Sequence, residues 1–183
     1  SRRISDPSDR LSLKRCLAIV APNGTVRDEL RGLLGWLAAL GSKEIQEAAI
    51  DLDPYGVLAN GDPSQLQASS KRRLIRKLAE LSKIDPYFRG GDYWRSFSCA
   101  GFFTAEVISE IRVLLTQDRG HGQLTDLLLE LLAGSEAVSL LTDELSNLFH
   151  DRRNSFNTRH LVMDCLRCLD EWNFTGDLSS FLE

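Results

Sequence analysis

The sequence predicts an all-α protein, a helical bundle grading into stacked antiparallel helical hairpins in the manner of an α-solenoid. Three observations lead there. Leucine dominates, with 31 Leu against 8 Ile and 7 Val in 183 residues, and leucine favours helix where β-branched residues favour strand. Apolar residues recur three and four positions apart along most of the chain, the period of a helix face. Short breaks rich in Gly, Pro and Asn separate these runs, and short links favour antiparallel neighbours.

The first helix is expected over 11–21, with Leu13, Cys16, Leu17 and Val20 on one face, ended by Pro22-Asn23-Gly24. Thr25 followed by Asp28 reads as a capping box for the next helix. That helix would bury Val26, Leu30, Leu33, Leu37 and Leu40 and close at Gly41, a residue suited to the C′ position. Ser42 caps a shorter helix through Ile45, Ala49 and Ile50. Asp53-Pro54 and Asp62-Pro63 each set a capping acid before a proline at the first helical position. Two short helical turns should follow, divided by Asn60-Gly61.

From Ser69 or Ser70 the spacing predicts a regular helix with Leu74, Ile75, Leu78, Leu81 and Ile84 inward. Asp85-Pro86-Tyr87 ends it and repeats Asp53-Pro54-Tyr55 at an offset of 32 residues, too little similarity to define a repeat. Residues 90–103 are rich in glycine and aromatics (Tyr93, Trp94, Phe97, Phe102, Phe103) and read as a packed crossing. Further helices are expected at 105–116, 123–133, 136–149 and 158–172. The segment 123–133 is apolar on nearly every side, so it should be the centre of its layer.

The remaining composition bounds the function. The chain carries 22 Lys plus Arg and 26 Asp plus Glu, a net charge of −4, with 43% hydrophobic and 26% charged residues. That is globular composition, and 183 residues suit one domain spanning 1–183, with 103/104 as the place for any subdivision. An acidic chain lacks the basic excess of a dedicated nucleic-acid binder. No run reaches the roughly 18 apolar residues of a membrane span, and the arginines at the N-terminus have no apolar stretch behind them. Four cysteines are too few for a disulfide framework, which points to reduced thiols and a cytoplasmic setting. The chain starts at Ser1 and ends in Leu182-Glu183, a pair often left by cloning, so a piece of a longer protein is expected.

Chemistry is sparse. Asn23-Gly24-Thr25 and Arg89-Gly90-Gly91-Asp92 lack the spacing of a phosphate-binding loop. Cys165 and Cys168 form a C-x-x-C on one helix with His160 and Asp164. Zinc needs about four ligands, and Cys16 and Cys99 are remote in sequence, so buried structural thiols are the expectation. His121 and His150 stand near helix ends, where a basic group complements the dipole. Lys71, Arg72, Arg73, Arg76 and Lys77 form the densest positive cluster, expected as the solvated face of an amphipathic helix. No catalytic, cofactor-binding or metal-binding residue is assigned.

Several stretches carry a resemblance: Leu52-Asp53-Pro54-Tyr55-Gly56-Val57-Leu58 with Gly61-Asp62-Pro63, and Asp85-Pro86-Tyr87-Phe88-Arg89 through Tyr93-Trp94-Arg95-Ser96-Phe97. Together with Arg15-Cys16-Leu17-Ala18-Ile19-Val20-Ala21-Pro22 and Leu30-Arg31-Gly32-Leu33-Leu34-Gly35-Trp36-Leu37, they resemble the helical region following the ATPase module of large bacterial NACHT/STAND-type P-loop NTPases. The resemblance covers about 11–115. It implies a non-enzymatic regulatory or protein-interaction segment of a signalling or defence NTPase whose Walker motifs lie upstream. Its partner would be a protein, either the neighbouring NTPase domain or another chain. Two alternatives remain: a nucleic-acid-contacting module using 71–77, and a small helical enzyme near His121, His150 or Cys168.

Overall fold

The computed structural model describes residues 13–90, 92, 99, 101–117 and 122–169. Among these residues all regular structure is helical: nine α-helices and three 3₁₀ turns, with no strand. The chain divides into two compact units, Ser1–Val107 and Ile108–Glu183.

The first unit contains α1 (Leu13–Val20), α2 (Arg31–Leu40), α3 (Lys43–Leu52), α4 (Pro54–Asn60) and α5 (Ala68–Ile84). Helix α2 packs chiefly on α4 and α3, and α3 and α4 pack on α5. Both Asp-Pro starts form as expected. The Asp53 carboxylate accepts from the Gly56 amide at 2.7 Å, and Asp62 accepts from the Ser64 amide at 3.1 Å. Proline at N1 gives up no hydrogen bond there, so each short turn begins at little cost.

Other starts and ends differ. No threonine capping box opens α2; instead a 3₁₀ turn, Asp28–Leu30, leads into it, with Asp28 and Glu29 at the positive end of its dipole. Gly41 does not take a left-handed C′ conformation: its φ is −87°. Glycine fits there because a Cβ would lie 2.5 Å from both the Leu37 carbonyl oxygen and Ile45 Cγ2. Ser42 is the N-cap of α3, but its hydroxyl donates to Glu44 Oε2 at 2.7 Å rather than accepting from the backbone. Helix α5 starts at Ala68, after Gln67, one residue before Ser69 and two before Ser70. Its end also departs from the expected pattern, since Leu81 is half-buried and Ile84 is exposed. The two Asp-Pro-Tyr tripeptides are not equivalent: Pro54-Tyr55 is buried in α4, whereas Asp85-Pro86-Tyr87 is an exposed turn with the Tyr87 amide bonded to Asp85 at 2.9 Å. Of the aromatic-rich stretch, Phe102 is buried against Phe103 (centroids 5.5 Å apart, edge-on), while Tyr93, Trp94 and Phe97 lie outside the described residues.

The unit boundary falls in the first turn of α6 (Ala105–Gln117), whose Val107 amide donates to Thr104 Oγ1 at 3.4 Å. The second unit holds α7 (Gly122–Leu132), α8 (Thr142–His150) and α9 (Phe156–Leu166). Helix α7 is covered on several sides, as its apolar sequence predicts, with all six of its leucines buried. Helix α9 packs against both α7 and α8. The single helix expected at 136–149 is a 3₁₀ stretch, Glu136–Leu141, continuing into α8. Helix α9 begins two residues before the expected start, because the Ser155 hydroxyl accepts from the Thr158 amide at 3.0 Å. Thr158 Oγ1 and Asn157 Nδ2 in turn donate to the two oxygens of Asp126 on α7, each at 2.7 Å. That clamp fixes where α9 meets α7.

Candidate interaction surface

Helix α2 has the sequence RGLLGWLAAL, in which Arg31 is the sole charged residue. A helix apolar all round is ordinarily covered all round. Here one side is buried, by Leu34, Gly35, Ala38 and Ala39, and the opposite side is open. Leu33, Trp36 and Leu40 remain 48%, 53% and 56% exposed. Their spacing of three and four residues sets them along one stripe. The expected buried stripe of Val26, Leu30, Leu33, Leu37 and Leu40 is therefore corrected: Val26 is buried, Leu30 and Leu37 are half-buried, and the other two face out.

Close backbone approach decides which side goes in. A Cβ on Gly35 would lie 2.6 Å from the Gly61 amide nitrogen, and a Cβ on Gly61 would lie 2.6 Å from the Gly35 carbonyl oxygen. The two glycines let α2 and the end of α4 touch main chain to main chain, which the leucine side of α2 cannot do. Arg31 locks the start of the helix, with Nε 2.9 Å from Asp53 Oδ2 and 3.7 Å from Asp28 Oδ1. The outward stripe thus sits on a helix fixed by backbone contact at Gly35 and an ion pair at Arg31. Covering these three half-exposed side chains would release roughly 2–4 kcal/mol.

The basic cluster of α5 does not form one solvated face. Lys71 is only 6% exposed, and its Nζ donates to the Gly101 carbonyl at 2.6 Å. Burial pushes its pKa down, partly opposed by nearby Asp62. Arg73 pairs with Asp51 through two bonds of 2.9 and 2.6 Å, and Lys77 pairs with Glu80. Arg72 and Arg76 are exposed. Nothing in the spacing of α5 announces the burial of Lys71, since its partner lies 30 residues away.

In the second unit, His150 sits in the last turn of α8 with Nδ1 2.8 Å from the Ser146 carbonyl oxygen, as a helix-end residue should. His160 Nδ1 is 3.6 Å from Asp164 Oδ2. Cys165 is buried and donates to the Leu129 carbonyl at 3.3 Å, and desolvation pushes its pKa up to about 12. Cys168 departs from the expectation of two buried thiols: α9 ends at Leu166, and Cys168 is exposed beyond it. Cys16 and Cys99 are buried. Among the described residues no three His, Cys, Asp or Glu side chains are grouped to hold a metal ion. His121 lies outside the described residues. No described helix is long and apolar enough to cross a membrane.

No protein-family model, curated protein or solved structure matches this chain.

Proposed function

We propose that this chain is a non-catalytic helical protein-interaction segment, docking through the outer stripe of α2, and that it regulates a larger signalling- or defence-type NTPase. The exposed Leu33–Trp36–Leu40 stripe on a helix anchored at Arg31 and Gly35 carries the reading. The NTPase context rests on the sequence resemblance alone. The size of the stripe favours a tethered partner. Ten helical residues span about 15 Å, one helix crossing, well short of the roughly 800 Å² per side of an independent complex. Within one polypeptide, effective concentration makes up for small area. The occupant is then an apolar helix of a neighbouring domain.

Hydroxyl-radical footprinting tests this by residue-resolved oxidation of Trp36 and Leu33, in the 183-residue chain and in the product of its complete reading frame. Several-fold lower oxidation in the longer protein is the expected result; equal oxidation refutes the docking face. ATP turnover by the 183-residue chain would refute the non-catalytic assignment. The nucleic-acid alternative loses support from the burial of Lys71 and the pairing of Arg73 and Lys77, because paired cations release fewer counterions on binding phosphate. For the small-enzyme alternative, His150 and Cys168 are each turned onto carbonyls of their own helical segments.

A further inference from the structure

We propose that Cys165 and Cys168 form a dithiol–disulfide couple whose oxidation withdraws Cys165 from the α7–α9 interface and loosens the end of α9. The inference is independent of the docking reading. It starts from the backbone. The Cys168 amide donates to the Cys165 carbonyl at 3.2 Å, a bond between residues three apart. Such 3₁₀ bonding places side chains at i and i+3 over one another, with a rise of about 6 Å across the three residues. That separation lies within the Cα range a disulfide can bridge, about 4.4–6.8 Å.

The two thiols have different surroundings. Cys168 is exposed, so an oxidant reaches it directly. Cys165 is fully buried, with Sγ on the Leu129 carbonyl of α7. That carbonyl also accepts the Ala133 amide at 2.9 Å, so losing the thiol leaves it bonded. What the interface loses is packing, because Cys165 must change rotamer to meet Cys168 and vacates its place between α7 and α9.

With glutathione disulfide as oxidant the step balances. The Cys168 thiolate attacks one sulfur, the glutathione S–S bond breaks, and one glutathione leaves as thiolate. Cys165, deprotonated as the turn opens, attacks Cys168 Sγ and displaces the second glutathione. The two protein protons end on the two glutathione sulfurs; the protein is oxidised by two electrons and the glutathione disulfide is reduced. Burial of Cys165 makes the second displacement the slow one.

The experiment exposes the intact chain to excess glutathione disulfide, then maps it with trypsin, which cuts after Arg167 between the two cysteines. Expected is a disulfide joining peptides 160–167 and 168–183, two thiols remaining of four, and amide exchange over 162–166 faster by about tenfold. Cys168→Ser should keep Cys165 reduced, and Cys165→Ser should accumulate glutathione on Cys168. A stable glutathione adduct on Cys168 with Cys165 still reduced in the unsubstituted chain overturns the couple. So does retention of all four thiols, or a disulfide to Cys16 or Cys99. A 165–168 disulfide that leaves amide exchange unchanged overturns the loosening.

Discussion

Gly32 and Gly35 lie on one helix, three residues apart, and should answer the same substitution with opposite signs. A Cβ at Gly32 meets nothing within 4 Å. Gly32→Ala therefore gains only helix propensity, up to about 1 kcal/mol and less in the first turn. At Gly35 the added Cβ would lie 2.6 Å from the Gly61 nitrogen and 2.7 Å from the Asn60 carbonyl carbon. Against an ordinary contact of 3.4 Å the shortfall is 0.8 Å, and main chain has no rotamer with which to yield. Overpacking of this kind costs about 1–3 kcal/mol or more, which outweighs the propensity gain. The net loss for Gly35→Ala should be about 1–2 kcal/mol, lowering the melting temperature by roughly 2–8 °C. Urea unfolding of both variants beside the parent chain measures the two signs. A Gly35→Ala protein as stable as the parent, or a Gly32→Ala protein less stable, would refute the backbone-contact account of α2.

Four further outcomes are expected. Leu127→Ala, at the fully buried centre of α7, should cost about 3–5 kcal/mol in denaturant unfolding, whereas Leu140→Ala on an exposed site should cost well under about 1 kcal/mol. Asp126→Ala removes the acceptor of both Thr158 and Asn157 and should destabilise by about 1–3 kcal/mol, with faster amide exchange across the first turn of α9 as the diagnostic. Asp53→Ala deletes the cap of α4 and the partner of Arg31, for a loss of about 1–2 kcal/mol readable by circular dichroism melts. Ser64, mainly through its hydroxyl, holds the Asp62 carboxyl below its ordinary value of 3.8. A depressed carboxyl stabilises above its unfolded value and loses that contribution as pH falls through the lower folded one. The stability gap between the parent and Asp62→Asn should thus be full at pH 6 and shrink below pH 3.8; a gap independent of pH contradicts it.

What the sequence made legible was what neighbouring residues decide among themselves. The Asp-Pro starts at 53 and 62 need only a carboxylate, a proline and an amide two or three positions on. The burial of α7 follows from leucines on every side. The inward face of α2 was illegible because counting leucines weighs apolar area, while the structure selects the side that fits against Gly61. Lys71 misleads for a similar reason: on α5 it continues a run of cations, and the groups that hold it inside, the Gly101 carbonyl and nearby Asp62, lie on other segments. Cys168 follows the helical period on paper, but α9 ends two residues earlier, and the period ends with it.

Helix α2 turns Leu34 and three small residues inward and leaves Leu33, Trp36 and Leu40 outward, so apolar area alone does not choose its inner face. Rolling the helix about its own axis would bury Leu33, Trp36 and Leu40, with more apolar area than Leu34, Gly35, Ala38 and Ala39 supply. Hydrophobic gain alone favours the rolled arrangement; steric fit and the Arg31–Asp53 pair favour the native one. The inner face of α2 is thus chosen by two glycines and one ion pair, against the balance of apolar area. A substitution that blunts that fit removes the steric reason for the native face and leaves the apolar balance unopposed there.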